Sequence, residues 1–590
     1  MSSRYLIGLL LIVFASCSSP LTKEQKDADA VYLKQVKEYT LNADGSYRYH
    51  YHHKLLYNSY LSINRFYGES FVVYNPEFQT LKVNKSETTM VDGKKVKSPE
   101  NAFNEVLPSS ATDAPAYNNL REMVITHVGL ERGAVVELDY EVQTKAGFTP
   151  FLSDRVNLCE SSPVKEVEVI VRVPKGDKLN YNLLNQPEGL TCKISTQGDY
   201  DVYSWKSYNL GAISHEPLQQ EGLSAYPTLL FSTTELTAGF EFLKGSLTKN
   251  FTPDESITKL LKNDAKGWKQ VGFISNYVVS NINTYGVSPI LTGYRFRSPT
   301  EVWQSNGGTE GEKAILLSAL LKTAGFNAEP VVAGYPNFFN KEVGTICLFD
   351  RFWVRVEFEG ETRIISAVDE HYKVPGNRVC IAIGDDITKV NFEKVLKPAL
   401  SYTLNDDLDI TSDGKIAGKA EAKQMSFDEG KSILSGISGT DYSSTKSSKN
   451  KETVAFSISF NDSYHAEKVD GLLFFTLPNL TQGIEAVGIA EMPLKRITAI
   501  ELPGSINEEY TFIIKRPKGF KVISPVNMTM VENELGVCCI SQEAKEDNVI
   551  ITRKLKINKA IIPSENYANF RQIVSLWNDR NLNKVVLKEE

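Results

Sequence analysis

One stretch of the sequence, residues 308–325 (GTEGEKAILLSALLKTAG), constrains the fold more than any other. Thr309 followed three residues later by Glu312 has the spacing of a capping box, which begins a helix. Gly325 suits the position just after the helix ends. Apolar residues lie nearly all round the predicted helix, as is typical of a helix buried in a domain core. By itself this pattern indicates only a well-capped core helix, around which a domain is built.

The segments on either side of this helix give it a context. GYRFRSPTEVW (293–303) precedes it, and PVVAGY (330–335) and FDRFWVRVEFEGETRIISAV (349–368) follow it. This order of segments resembles the transglutaminase-like superfamily, relatives of the papain-type cysteine enzymes. The resemblance implies a nucleophilic Cys at the start of the central helix, in a G-D-C-x-D-K-A-like run, with a His and an Asp on two adjacent strands. A helix N-terminus beside an imidazolium stabilises the thiolate that such an enzyme needs.

The three reactive positions of that family hold other residues in this chain. The K-A-x-L-L motif matches residues 313–317, F-N-H matches 349–351 and L-D-P matches 365–367, which puts Glu310, Arg351 and Ser366 at the positions of the Cys, the His and the Asp. A carboxylate lacks the nucleophilicity of a thiolate, and a guanidinium stays protonated and cannot act as a base. The sequence therefore predicts a non-catalytic transglutaminase-like domain and leans against an enzyme.

Glu310 and Arg351 would restore, as a permanent ion pair, the anion and cation that such a site holds. We expect their side chains to lie within roughly 4 Å of each other. The alternative is that they are two unrelated surface charges. A carboxylate at a helix N-terminus should also keep a low pKa, which argues against a different hydrolase that would use Glu310 as an acid.

A second alternative is an active cysteine transglutaminase or peptidase with a displaced nucleophile. Cys347 precedes Arg351 by four residues, and His371 could serve as its base. Trp303, Trp353 and Arg355 are candidates for the wall of a ligand-binding cleft, although a stripe of this kind is more often simply one face of a half-exposed strand.

The first residues of the chain predict a targeting segment and a lipid anchor. Arg4 precedes an apolar run, Leu6 to Ala15, that is too short to span a bilayer, which takes about 20 residues. The run ends in Phe-Ala-Ser before Cys17, and this resembles the lipobox of bacterial lipoproteins, in which the Cys is lipid-modified after cleavage. The alternative is an ordinary secretory signal. We expect a signal peptide over 1–16, a flexible tether over 17–30, and a protein anchored in the cell envelope, at the outer membrane.

The rest of the chain predicts a multidomain α+β protein. Short alternating strands over 31–245 predict an N-terminal β-sandwich that resembles a bacterial domain of unassigned function, DUF3857. Residues 250–384 form the predicted papain- and transglutaminase-like α+β core. Residues 385–590 predict a sandwich-like β domain that ends in a helix and resembles the DUF3858-like domain of Bacteroidetes proteins.

Composition excludes some classes of partner. The net charge of −7 provides no concentrated basic patch, which argues against nucleic-acid binding. The Cys residues lack metal-ligand spacing, and we predict no metal and no cofactor. His50 and His52 share one face of a predicted strand, where a metal is conceivable, but plain exposed positions are the simpler interpretation. The predicted function is a lipid-anchored envelope protein that binds or scaffolds a peptide or glycan ligand.

Overall fold

The computed structural model describes residues 20–220, 225–262, 264–369, 378–392, 399–424, 433–434, 446–449, 454–489, 492–524 and 528–590. Within them the chain is a mixed α+β protein, rich in strands, with separate cores that follow one another along the sequence. The predicted signal peptide, Cys17 and His371 lie outside the described residues. In the part of the chain that is described, no helix is both long and apolar enough to cross a membrane.

A large sheet dominates the N-terminal region. Across it the strands run in the order Thr191–Gln197, Tyr200–Leu210, Val164–Pro174, Ala30–Leu41, Tyr47–Tyr57, Val135–Thr144, Gln79–Thr89 and Lys95–Lys97. Two three-stranded sheets accompany it, Asn180–Leu184, Thr228–Ser232 and Ser153–Asn157, and Glu69–Tyr74, Arg121–Thr126 and Phe103–Val106. A turn at Asp44-Gly45 joins the antiparallel strands Ala30–Leu41 and Tyr47–Tyr57, with Gly45 at φ +82°.

The start of the chain is more ordered than the sequence analysis expected. Lys23–Asp27 is a short helix with a capping box between Thr22 and Gln25. The Gln25 side chain is 1% exposed, and its amide donates to Asn209 Oδ1 at 3.1 Å. The first long strand starts at Ala30. The prediction of a flexible tether over 17–30 is therefore wrong from Thr22 onward, because a buried amide fixes this polar segment.

The expectation of strands over 31–245 is also wrong at its C-terminal end. Leu236–Leu247 is a helix, and its apolar face enters the central core together with the central helix. Shorter helices accompany these sheets at Arg65–Gly68, Glu255–Leu261 and Pro299–Ser305.

The central helix is confirmed as Glu310–Thr323, with Thr309 as its N-cap and both hydrogen bonds of the capping box present. The helix Trp268–Asn281 contributes Val271, Ile274 and Val278 to the same core. A four-stranded sheet covers the other side, in the order Glu361–Ser366, Arg351–Phe358, Asn327–Gly334 and Val379–Ala382. Its first two strands are antiparallel and meet at the predicted turn, where Glu359 and Gly360 both have positive φ. Two short parallel strands, Asn283–Tyr285 and Gly307–Thr309, lead into the helix.

The C-terminal region is built on a second large sheet. Its order is Lys446–Lys449, Val454–His465, Lys415–Gln424, Ala399–Ile410, Ser505–Lys515, Asn548–Ile557, Gly536–Ala544 and Met528–Asn533. Smaller sheets join Glu467–Val469, Leu472–Thr476, Lys584–Glu589 and Phe520–Val522, and Ile500–Glu501 with Ile561–Ile562. The predicted terminal helix is confirmed at Tyr567–Trp577, and its predicted apolar stripe is buried against the sheet.

Candidate functional site

The start of the central helix is held by a buried carboxylate. Glu312 is fully buried, and its two oxygens accept hydrogen bonds from the Thr309 N–H, from the backbone N–H and guanidinium of Arg297, and from the Tyr117 hydroxyl. The distances lie between 2.6 and 3.0 Å. This one carboxylate therefore holds the helix start and the preceding segment, residues 293–303, together. Because Tyr117 belongs to the N-terminal region, the carboxylate also joins the N-terminal and central regions.

A buried lysine holds the same helix from the next position. The Lys313 side chain is fully buried and its ammonium donates to Ile282 O at 2.6 Å and Thr284 Oγ1 at 3.0 Å. Burial lowers the pKa of Lys313 to about 8. Lys313 therefore ties the segment that precedes Tyr285 to the helix.

A cavity of about 450 Å³ opens at this helix start, between the N-terminal and central regions. Its wall comes from residues 284–290, Tyr294 and Phe296 on one side and from residues 309–311 and several residues of 347–352 on the other. Arg155 of the N-terminal region completes it. The volume falls within the range of small-molecule sites, about 300–1,000 Å³.

Glu310 and Arg351 meet in this cavity. Glu310 Oε2 lies 3.6 Å from a terminal nitrogen of Arg351, within the limit of about 4 Å expected from the sequence. Glu310 Oε1 also accepts a hydrogen bond from the Phe352 N–H at 3.1 Å. The Arg351 side chain is 47% exposed and that of Glu310 only 20%, so the guanidinium is solvent-exposed and the carboxylate is mostly buried.

The pKa of Glu310 corrects one expectation. Burial raises the pKa of this carboxyl above its ordinary value, although the Phe352 N–H and the Arg351 guanidinium act in the opposite direction. The sequence argument considered the helix N-terminus, which favours the carboxylate, but could not foresee how little water reaches it.

Ser366 lies apart from these two residues. It ends its strand opposite Trp353, and its hydroxyl oxygen accepts hydrogen bonds from the Val368 and Asp369 N–H groups at 3.1 and 3.2 Å. Ser366 does not line the cavity, whereas Val368 does. Its hydroxyl therefore stabilises the turn that follows the strand.

The proposed cleft of Trp303, Trp353 and Arg355 is not formed, since none of the three lines the cavity. Trp353 is 1% exposed and packs with Val331 in a core on the face of the sheet opposite the central helix. Arg355 forms ion pairs with Glu329 and Asp385 at 2.9 and 2.8 Å. Trp303 stacks on Tyr277 and donates to Ser256 Oγ at 3.0 Å. The alternation of side chains along the strand was predicted correctly, but the face that carries Trp353 packs into a second apolar core.

Cys347 does line the cavity, in a short turn of 3₁₀ helix, Ile346–Leu348. Burial raises the pKa of its thiol to about 12, so the thiolate form is scarce at neutral pH. Arg155, Tyr285, Tyr294 and Asp350 also line the cavity, and the sequence analysis did not select them. The loop before the central helix was recognised as the entrance to the core, but only the fold brings Arg155 to it.

The histidine pair on the N-terminal sheet is engaged with carboxylates. His50 Nε2 lies 3.0 Å from Asp139 Oδ1, and His52 Nε2 lies 2.9 Å from Glu137 Oε1. Both rings are half-buried on the same face of the sheet. His53 points the other way and is buried, and burial lowers its pKa to about 3.

Comparison with known proteins supports the arrangement of the regions. Residues 43–214 match the family model of a domain of unknown function with solved structures (DUF3857), and residues 472–587 match that of another (DUF3858). The chain is similar to the crystal structure of a "putative protease" from Parabacteroides distasonis, with 27% identity, a TM-score of 0.72, and coverage of 95% of this chain and 99% of that one. The two chains share one fold over nearly their whole lengths.

A "putative cysteine protease" from Cytophaga hutchinsonii also matches, with 12% identity over 39% of this chain and 83% of that one. Its TM-score of 0.19 is too low for any structural argument. No curated protein matches the chain significantly.

Proposed function

We propose that this chain is a lipid-anchored cell-envelope protein whose central region is a transglutaminase-like domain without the catalytic triad, and that it binds a peptide or glycan in the cavity at the central helix. The observation that carries the proposal is the Glu310–Arg351 pair, 3.6 Å apart, at the start of a buried helix inside a cavity. An anion and a cation occupy the place where that resemblance puts a thiol and an imidazole.

The walls of the cavity suit a ligand of mixed character. Tyr285, Tyr294, Phe296 and Phe349 supply apolar and aromatic surface, while Arg155 and the half-exposed Arg351 can donate hydrogen bonds to carboxylate, carbonyl or hydroxyl oxygens.

Binding is tested with Ile290→Trp, because Ile290 lines the cavity and is 50% exposed, so a larger side chain there obstructs the cavity without a cost in the core. Phe273→Trp is the matched control, since Phe273 is 43% exposed and does not line the cavity. Short peptides and oligosaccharides are screened by calorimetry. We expect a ligand whose affinity falls in the first variant only; ligands that bind both variants equally would place binding elsewhere.

The absence of cysteine catalysis is tested with a thiol-directed probe at neutral pH. Cys192 is exposed and should be labelled first, whereas Cys347 should react far more slowly, because its pKa is raised to about 12. Labelling of Cys347 that is faster than that of Cys192 would instead favour an active cysteine enzyme with a displaced nucleophile. The triple variant Glu310→Cys/Arg351→His/Ser366→Asp tests whether the central region can still support cysteine catalysis.

A second candidate function is a hydrolase that uses Glu310 as an acid. The raised pKa of Glu310 favours it, because a protonated carboxyl in a cavity can donate a proton. The same reasoning gives its test. Hydrolysis of envelope peptides or glycans by the wild-type protein, lost in Glu310→Gln and retained in Arg155→Ala, would favour this candidate over the binding protein.

A further inference from the structure

A small loop near the start of the chain exposes an unusual amount of apolar surface. Tyr60 and Leu61 are each 75% exposed and Phe66 is 64% exposed. We call residues 60–66 the apolar loop. Isolated exposed apolar residues are ordinary, but three large ones within seven residues form a patch that indicates a contact surface.

Local hydrogen bonds define the backbone of the apolar loop. The Ser59 hydroxyl accepts a hydrogen bond from the Leu61 N–H at 3.1 Å, and Asn64 Oδ1 accepts one from the Phe66 N–H at 2.7 Å. The Asn64 amide donates to Leu61 O at 2.6 Å. These local bonds hold the three apolar side chains outward, so their exposure is a property of the folded loop.

The loop is attached directly to the first residues that the structure describes. The Asn58 amide donates to Gln25 O at 2.8 Å and to Ala28 O at 3.0 Å. The backbone N–H groups of Asn58 and Ser59 both donate to Asp29 O. The apolar loop and the short helix Lys23–Asp27 are therefore one unit at the same end of the molecule.

Few residues separate this unit from Cys17 along the sequence. The five Cα–Cα steps from Cys17 to Thr22 span at most about 18 Å when fully extended. A flexible tether reaching to Ala30 would have spanned about 47 Å. A lipid attached at Cys17 would consequently hold the apolar loop close to the bilayer surface.

We propose that the apolar loop is a membrane-contact surface that sits on the lipid headgroups beside the anchored Cys17. This inference rests on the lipid anchor of the proposed function and adds a second attachment, which fixes how the body lies on the membrane. Aromatic and aliphatic side chains of this kind partition into the interfacial region of a bilayer.

The test uses the chain from Pro20 to Glu590, which carries no lipid, with vesicles of phosphatidylethanolamine and phosphatidylglycerol. We expect measurable co-sedimentation, weakened at least ~10-fold in Tyr60→Ser/Leu61→Ser/Phe66→Ser, because interfacial binding scales with buried apolar area. The matched control is Ile523→Ser/Met528→Ser/Met530→Ser, whose three side chains are 46%, 68% and 50% exposed in another part of the chain. This control should bind like the wild type, and circular dichroism verifies that both variants fold.

Two results would overturn the proposal: no vesicle binding by the wild-type chain, or equal binding by the loop variant. A dimer in sedimentation velocity that the loop variant abolishes, without vesicle binding, would assign the surface to a second copy instead. The anchor is judged separately, by mass spectrometry and detergent partitioning of the full chain and its Cys17→Ser variant. An unmodified Cys17 would refute the anchor, while the vesicle result still decides whether the loop binds lipid.

Discussion

Replacing Arg297 by Met should loosen the start of the central helix strongly. Glu312 is fully buried and receives three hydrogen bonds from Arg297, two from the guanidinium and one from the backbone. The substitution leaves the bonds from the Arg297 and Thr309 N–H groups and from the Tyr117 hydroxyl, but removes the only positive charge that pairs with this carboxylate among the described residues. Leaving one partner of a buried ion pair uncompensated costs about 3–5 kcal/mol.

Hydrogen exchange of peptides from the helix Glu310–Thr323 measures this cost locally, which suits a chain whose several regions need not unfold together. At about 1.4 kcal/mol per factor of ten, 3–5 kcal/mol corresponds to exchange that is roughly 100- to 5,000-fold faster. The matched control is Lys244→Met, since Lys244 forms an exposed ion pair with Glu241 at 3.6 Å. Its effect should stay below about fivefold.

A double variant distinguishes a buried charge from lost packing. Arg297→Met/Glu312→Gln has no uncompensated charge, and its exchange should be slower than that of Arg297→Met alone by at least about tenfold. An Arg297→Met protein whose helix exchanges less than about tenfold faster than wild type would refute the reasoning, because the Glu312 carboxylate would then be hydrated.

Three further predictions concern the same helix. The Glu310→Gln protein should lose a pH dependence of its stability. Burial raises the folded-state pKa of Glu310 above 4.5, so wild-type stability contains a contribution that grows as pH falls through this pKa. Urea unfolding from neutral to acidic pH measures this contribution. Lys313→Met should lose the opposite dependence. The folded-state pKa of Lys313, about 8, lies below the ordinary 10.5, so wild-type stability gains a contribution as pH rises between these values. A urea profile that is unchanged in either variant contradicts the corresponding prediction. Thr309→Ala removes the cap and should cost about 1 kcal/mol, seen as faster exchange in the first helical turn. The exposed Thr323→Ala, at the other helix end, should leave that turn unchanged.

The local features of the central region could be predicted because local chemistry dictates them. The capping box at Thr309 and Glu312 needs only a spacing of three residues, and the turn at Glu359-Gly360 needs only residues that tolerate positive φ. The Glu310–Arg351 contact was within reach because a family resemblance supplied the alignment of two distant segments. Each of these predictions follows from short-range chemistry or from a matched motif.

Features that depend on tertiary contacts could not be predicted. The segment Leu236–Leu247 contains two Gly residues and gives a weak helical signal, and it is helical because its apolar face fits the central core. Lys23–Asp27 is polar, and its buried Gln25 depends on a partner far along the chain, Asn209, which the sequence does not reveal. Trp353 was placed on the correct strand face, but the sequence does not say that this face is covered.

Under the proposed function, three reactive positions of the central region hold other residues, and the structure separates these positions from the groups that hold the central helix. The groups that hold the helix start are Thr309, Glu312, Arg297 and Lys313, and their hydrogen bonds go to one another, to backbone groups and to the N-terminal region. Ser366 takes no part in these bonds, and Glu310 and Arg351 contact each other at the cavity wall. The side chains that hold the helix start are thus a different set from Glu310, Arg351 and Ser366, the three positions that the proposal treats as reactive. Substitutions at the second set should therefore alter what the cavity binds or does while the central helix keeps its position.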